Sequence, residues 1–493
     1  MPRLSNKMLS GNGAAATDAL AEAFLASLVG RGKAMVDGEG VEFYDGTKIK
    51  VPHGFTYDQV RRVIDRAEKE AETVTRWDRE YPYRFNDGAY ALMTVLKRRY
   101  GGAFGETVHT FFGPRPPELR TIDIAYGVTA QVPYGELSLP ALEGLEINSL
   151  EWRSREYGLI YRIVAQGPRK YAREVEALFA EVDEHLRTKS IYRGKAVAGT
   201  DKLEFLDLSK FRESEIVFAT KAHDLLNTNV WQPLRHAADL KAEGVPLKRA
   251  ALLHGPYGTG KTSAGLVTAK VAVAAGWSAL TARAGQDDIV RTLQTARLYQ
   301  PAVVFLEDVD GEASSGDPED VTKLLEVFDG VTAKGSEIVL VATTNHLDRI
   351  HKALLRPGRF DAVIEIGSLD NAGIERLIKA VVSPDKLFAD VNYAEVAAAM
   401  SGFYPAFVRE AVDRARVVAI TRQGRNYALD TDALVAAADT LQEQLRALEQ
   451  ATEGEKTPTL DRVFNAAVQG AVSALVVDPG NNEWEIGEPT DED

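Results

Sequence analysis

Fifty-eight lysines and arginines against 72 aspartates and glutamates give the 493-residue chain a formal net charge of −14, and it contains no cysteine. That excludes a disulfide framework, a thiol nucleophile and any zinc or iron–sulfur site built on thiolates, and it argues against a broad basic grip on nucleic acid. The length exceeds what one hydrophobic core usually fills, 45% apolar residues suffice to bury several cores, and no run reaches the roughly 18–20 apolar residues of a membrane helix.

Residues 1–30 read as a flexible leader, polar and small-residue-rich at its start and without an apolar signal core. Residues 41–51 alternate around Asp45-Gly46 and predict a hairpin. Thr56 and Gln59 form a capping box that Phe55 and Val60 can staple, which predicts a helix start. The proline cluster Pro114-Arg115-Pro116-Pro117 marks a sub-boundary near 118. Beyond it the runs 121–132 and 159–165 have strand character, and 170–187 reads as a helix. Residues 31–198 are therefore expected to form an α+β region, and this is where choice of substrate or partner should reside.

Within that region Arg76, Trp77, Arg79, Tyr81, Tyr83, Arg84 and Phe85 mix bases with aromatics, a pattern able to stack single-stranded nucleic acid. Asp78, Glu80 and Pro82 interrupt it, so core aromatics beside a turn are the favoured reading. From about residue 200 short apolar runs (250–254, 278–282, 303–306, 338–342) alternate with longer helical patterns, as a parallel α/β sheet requires. Helical patterns dominate from 371 to about 450. The last 13 residues hold six acids and no base, a solvated tail.

Gly255-Pro256-Tyr257-Gly258-Thr259-Gly260-Lys261-Thr262 follows the first of these strands and opens a helical run, which is the context of a nucleotide-phosphate loop. Glycines let successive backbone N–H groups converge on phosphate oxygens, and the helix N-terminus adds its dipole. Lys261 would reach the β- and γ-phosphates, and the Thr262 hydroxyl would ligate Mg²⁺. The strand 302–306 ends in Glu307-Asp308, with Glu307 facing the metal shell and Asp308 polarising the attacking water. A third strand ends at Asn345, whose amide could hydrogen-bond both the γ-phosphate and that water. His236, His254 and His346 have no metal-ligand spacing.

Leu354-Leu355-Arg356-Pro357-Gly358-Arg359-Phe360-Asp361 then sets two arginines three apart beside a proline and a glycine. With that segment the chain resembles the AAA family of ATPases within the AAA+ class, from about 200 to 450. The motifs stand in family order: phosphate loop, acidic strand end, Leu324-Leu325-Glu326-Val327-Phe328-Asp329-Gly330, the Asn345 strand and the arginines. The resemblance implies an α/β AAA+ module, with a parallel five-stranded sheet flanked by helices at 199–367 and a helical lid at 368–450. Residues 451–493 would add a C-terminal helix and the acidic tail. It further implies ATP and Mg²⁺ as cofactors and a homo-oligomeric ring, usually hexameric. Arg356 and Arg359 would be arginine fingers entering the neighbouring subunit's site, and Asp329-Gly330 an intersubunit signalling element.

Two features depart from the family pattern. Most relatives end the acidic strand Asp-Glu, whereas here the order is Glu307-Asp308. Only Arg283-Ala284-Gly285-Gln286 stands where threading unfoldases carry an aromatic pore loop. Both features resemble the mitochondrial AAA group that translocates a folded Rieske protein, without that group's membrane helix. The expected protein is a cytoplasmic Mg²⁺-dependent ATP hydrolase that remodels, disassembles or chaperones a protein partner held by residues 31–198. The alternatives are an ATPase that loads or remodels a nucleic-acid complex, and a nucleotide-switched scaffold with little hydrolysis.

Overall fold

The computed structural model describes residues 69–309 and 336–452, apart from 102–107, 111–112, 116, 156, 201, 210, 248 and 357, together with 34–37, 40–43, 48–49, 62 and 65–66. The helix start expected at 55–60 and the segment Leu324 to Gly330 lie outside the described residues. The chain divides into two compact units, Met1–Leu206 with Leu293–Gln300, and Asp207–Thr292 with Pro301–Asp493.

In the first unit, β1 (Ala34–Asp37), β2 (Gly40–Phe43) and β3 (Lys48–Ile49) form a small antiparallel sheet, and Val41 pairs Ile49 across the predicted hairpin. Strand β4 (Val74–Tyr81) leads to helix α1 (Phe85–Tyr100) and the short hairpin β5 (Val108–Thr110) and β6 (Gly113–Arg115). The main sheet adds β7 (Glu118–Ala125), β8 (Val128–Ser138), β9 (Glu146–Ser154) and β10 (Gly158–Pro168), in the antiparallel order β4-β10-β9-β8-β7. The run 121–132 is thus two strands, because the chain reverses at Tyr126-Gly127 and Ile122 comes to pair Ala130. Helix α2 (Ala172–Lys189) follows, and β11 (Ala196–Ala198) pairs antiparallel with β12 (Glu204–Phe205).

Helix α1 buries Leu92, Val95 and Leu96 completely, the spacing of one face of a helix. Its backbone at Gly88 lies so close to the Tyr161 ring that a Cβ there would stand 2.0 Å away. Arg99 of α1 bridges Glu174 and Glu181 of α2 at 2.8 and 3.0 Å. The favoured core reading of the aromatic segment holds for its second half: Tyr81, Tyr83, Arg84 and Phe85 are all buried. Arg84 donates through Nη2 to the Thr200 carbonyl at 2.7 Å and through its backbone N–H to the Tyr299 hydroxyl at 2.9 Å. Burial plus satisfied polar ends accounts for Tyr81 to Phe85 without a ligand, whereas Arg76 is exposed and Trp77 and Arg79 are half-buried on β4.

In the second unit β13 (Arg249–His254), β14 (Ser278–Arg283), β15 (Ala302–Glu307), β16 (Ile338–Thr344) and β17 (Ala362–Glu365) run parallel in the order β14-β15-β16-β13-β17. Every residue of β16 is buried, as expected of a central strand covered on both faces. Helix α3 (Thr220–Leu226) precedes the sheet, α4 (Lys261–Ala274) follows β13, and α5 (Ile289–Leu298), which counts with the first unit from Leu293 onward, follows β14.

The lid comprises α6 (Asn371–Val381), α7 (Tyr393–Ala399), α8 (Pro405–Gln423) and α9 (Thr431–Thr452). They close over a core that includes Leu377, Ile378, Val396, Met400, Val412 and Leu434. The observed folds are those the resemblance implies: an α/β AAA+ module with a helical lid, preceded by α+β structure. Among the described residues no helix is long and apolar enough to cross a membrane.

One buried acid sets a pH response in the first unit. Asp87, fully buried on α1, accepts the Ile191 N–H at 3.0 Å and the Ser190 hydroxyl at 2.5 Å. Burial pushes its carboxyl up to about 6 against the pull of those bonds. The folded state therefore holds more protons than the unfolded chain from about pH 4 to about pH 6, and this group's contribution to stability is lost as pH rises through that window. Asp87→Asn keeps an acceptor for Ile191 and removes the titration. Its melting temperature should gain on the parent's as pH rises from about 4 to about 6.5; a constant difference would contradict the assignment.

Candidate functional site

Strand β13 ends at His254, and the predicted phosphate loop Gly255 to Thr262 follows at once, its last two residues, Lys261 and Thr262, opening α4. Gly260 has φ 96°, a left-handed conformation that glycine adopts without steric cost, and a Cβ on Gly255 would stand 2.0 Å from the Ile366 carbonyl oxygen. Thr259 donates its hydroxyl to the Pro256 carbonyl at 2.9 Å. Lys261, 7% exposed, turns its ammonium onto the Gly255 and Pro256 carbonyls, both at 2.7 Å. Thr262 is exposed in the first turn of α4. A loop whose backbone needs glycine, with a lysine and a hydroxyl at a helix N-terminus, fits a polyphosphate.

The parallel ladder brings two further strand ends beside this loop. His254 pairs Thr344 of β16, and β16 pairs β15 with Phe305 opposite Val341. Asp308, directly after β15, is the one non-glycine residue with positive φ (53°) among the described residues. Thr343 and Asn345 hold it there: the Asp308 N–H donates to Thr343 Oγ1 at 3.1 Å, and Asn345 Nδ2 donates to Asp308 Oδ1 at 3.0 Å. Glu307 is bound by Arg283, whose Nη2 lies 2.9 Å from Oε2.

Gly255 to Thr262, Glu307, Asp308 and Asn345 therefore share the carboxyl edge of one sheet, where open α/β sheets bind ligands. No group of three or more His, Asp or Glu side chains among the described residues is arranged to hold a metal. One or two carboxylates and a hydroxyl suit Mg²⁺, which keeps most of its waters and leans on substrate phosphates. His254 is partly buried, and burial together with the Lys261 charge lowers its imidazole below the usual range.

Arg356 and Arg359 lie elsewhere. Their loop precedes β17, and the Asp361 N–H donates to the Ala250 carbonyl at 2.8 Å, at the amino edge of the sheet. Ala250 and Gly255 are about 17 Å apart along an extended strand, so the arginine loop and the phosphate loop sit at opposite ends of β13. Arg356 is exposed, and Arg359 Nη1 donates to the Ala353 carbonyl at 2.9 Å.

The structure also shows a groove that no sequence motif marks. It has a volume of about 590 Å³, and its lining includes Ile216, Phe218, Thr220, His223, Arg376 and Lys379. It adjoins the phosphate loop, since a Cβ on Gly260 would stand 3.6 Å from the Phe218 ring. Lid residues pin its wall: Arg376 Nη2 donates to the Phe218 carbonyl at 3.1 Å, Arg409 donates to the Glu215 carbonyl, and Asp370 accepts the Thr220 N–H at 2.8 Å and the Gly373 N–H at 2.7 Å. Burial alone would raise the Asp370 carboxyl, but the hydrogen bonds from Thr220 and Gly373 hold it below the ordinary range. The start of α8 meets the loop itself, with the Ala406 N–H 3.4 Å from the Gly258 carbonyl.

Residues 251–368 match the family model "ATPase family associated with various cellular activities (AAA)". The chain carries an AAA domain. It is 27% identical over 281 residues, 52% of this chain, to the protein CdcH of Halobacterium salinarum. It is 30% identical over 204 residues, 38% of this chain, to the cell division cycle protein 48 homolog of Archaeoglobus fulgidus. It is 32% identical over 187 residues, 34% of this chain, to the proteasome-activating nucleotidase 1 of the same Halobacterium. The matched stretches span 38%, 28% and 45% of those relatives, under half of their length.

The backbone at Asp308 gives a direct test of the site's local geometry. Asparagine tolerates the left-handed region nearly as well as aspartate, whereas a residue with a plain Cβ pays about 1 kcal/mol or more. Asp308→Asn should leave the denaturant midpoint of the AAA domain near the parent value, and Asp308→Ala should lower its stability by roughly 1–2 kcal/mol. Equal stabilities for the two variants would show that the positive φ carries no strain.

Proposed function

We propose that the chain is a Mg²⁺-dependent ATP hydrolase whose subunits assemble into a ring, usually of six in this family. Its hydrolysis drives remodelling, disassembly or chaperoning of a protein partner held by residues 31–198. The observation that carries this reading is the separation of functional residues between the two ends of β13. The loop, carboxylates and amide cluster at one end. The arginines stand at the other, in a loop that Asp361 ties to Ala250, where they serve a neighbouring copy better than their own chain.

In this reading the backbone of Gly255 to Thr262 cradles the phosphates, with Tyr257, Pro256 and Thr259 shaping the loop, and Lys261 leaves its loop carbonyls for the β- and γ-phosphate oxygens. Thr262 and Glu307 hold the metal, which when bound neutralises charge on the phosphate oxygens. Asp308 orients the attacking water, and Asn345, already bonded to Asp308, links that carboxylate to the γ-phosphate. Arg356 and Arg359 of the adjoining copy stabilise charge that develops on the γ-phosphoryl group. The base and ribose occupy the groove beside Phe218, so the lid closes on the nucleotide itself.

A protein partner is the favoured class because one relative's name ties it to the proteasome, and because Tyr81, Tyr83, Arg84 and Phe85 of the aromatic and basic segment are committed to the core of the first unit. Cytoplasmic residence goes with this reading. The ATPase rate per subunit should rise steeply with protein concentration, and Arg359→Ala and Asp308→Asn should each cut it by at least about a hundredfold. A rate that is flat with concentration and indifferent to Arg359→Ala would remove the ring and the trans arginines together.

A further inference from the structure

Glu307 has a cationic neighbour that none of the sequence motifs includes. Arg283 closes β14, and the parallel ladder sets it directly beside Glu307 at the end of β15. Its Nη2 and Nε lie 2.9 and 3.3 Å from Glu307 Oε2. The Glu307 side chain is 14% exposed and that of Arg283 32%, so the pair is partly withdrawn from the solvent that makes surface ion pairs weak. Its base is fixed as well. The Arg283 N–H donates to Asp287 Oδ2 at 2.9 Å, and the Ala284 N–H donates to the Glu307 carbonyl at 3.0 Å. Both guanidinium bonds land on Oε2, and neither uses Oε1.

We propose that Arg283 is a positioning residue that holds Glu307 through Oε2 and competes with the divalent cation for its carboxylate, and so sets the metal requirement of the site. The inference rests on the reading of Glu307 as a metal-shell residue. A carboxylate shared between a guanidinium and a dication binds each less tightly than it would bind either alone, and the two cations repel across a few ångströms of partly desolvated protein. The orientation that the ion pair gives Glu307 works in the opposite sense, but it fixes only one side chain, whereas the repulsion acts on a doubly charged ion. The net effect of Arg283 is a weaker grip on the metal alone, so that the cation enters with the phosphates that carry its other ligands. The effect belongs to the charge, and lysine at the same position preserves it while losing the planar fork.

The test measures binding of a fluorescent ATP analogue to the full chain, once in EDTA and once with saturating Mg²⁺, alongside direct Mn²⁺ binding by electron paramagnetic resonance. Arg283→Gln should enlarge the metal-dependent gain in nucleotide affinity by about fivefold or more, tighten Mn²⁺ binding in the presence of nucleotide, and leave the metal-free affinity near the parent's. Arg283→Lys should stay close to the parent. Arg283→Thr, a second neutral residue suited to a strand end, should repeat the glutamine result and guards against a folding defect peculiar to one variant. A metal-dependent gain that is unchanged or smaller in both neutral variants would overturn the proposal while leaving the nucleotide site intact. Failure of the parent chain to bind the analogue at all would overturn the reading of the site, and this inference with it.

Discussion

The parallel ladder β15-β16-β13 is the constraint on which the rest of the site depends. Side chains in a strand alternate with a period of two, so a slip of one residue between β15 and β16 would turn Glu307 and Asp308 to the wrong face. In the observed register the Val309 N–H meets the Thr343 carbonyl at 2.9 Å, and Thr343 and Asn345 reach Asp308 from either side of Thr344. The register itself is secured by burial. Val303, Val304 and Leu306 of β15 and Val341 and Ala342 of β16 are at most 1% exposed, so any slip would strand apolar groups or bury charged ones.

From that ladder the functional logic follows in two directions. Toward the carboxyl edge the strands deliver charge: the phosphate loop, a carboxylate braced by Arg283, and a second carboxylate in a backbone conformation that only its hydrogen-bonded surroundings sustain. Toward the amino edge β13 receives the Arg356–Arg359 loop. The lid joins the carboxyl side, because segment 214–220 is gripped by Asp370, Arg376 and Arg409 while its Phe218 abuts the phosphate loop. A nucleotide bridging loop and groove would hold lid and sheet together, and its loss would free them.

Much of this was legible in the sequence, for reasons that differ by element. The strands 250–254, 278–282, 303–306 and 338–342 announce themselves as apolar runs because they are buried on both faces. The turn between β13 and α4 is legible because its glycines answer to local backbone geometry. The run 121–132 hid a hairpin, since its alternation continues through Tyr126-Gly127 and apolar periodicity does not register a reversal. The Arg283–Glu307 pair and the groove beside Phe218 were out of reach, because each joins residues 24 or more positions apart through register and lid packing. The segment around Arg84 was favoured as core from its interrupted pattern, but the partner of Arg84, Thr200, is 116 positions away, a distance over which no pattern of residue types carries information.

The central claim is that each site is completed by the neighbouring copy's arginines, and mixing two inactive variants tests it most directly. Asp308→Asn chains would keep their arginines but lack a working water-orienting carboxylate, and chains with both Arg356→Ala and Arg359→Ala would keep an intact site but lack the fingers. Each alone should be inactive, and equal mixing should restore up to about a quarter of the parent ATPase rate, the fraction of head-to-tail interfaces that join an intact site to an intact pair of arginines. Mixed assemblies that form without any recovery, or a double-arginine variant fully active on its own, would contradict it.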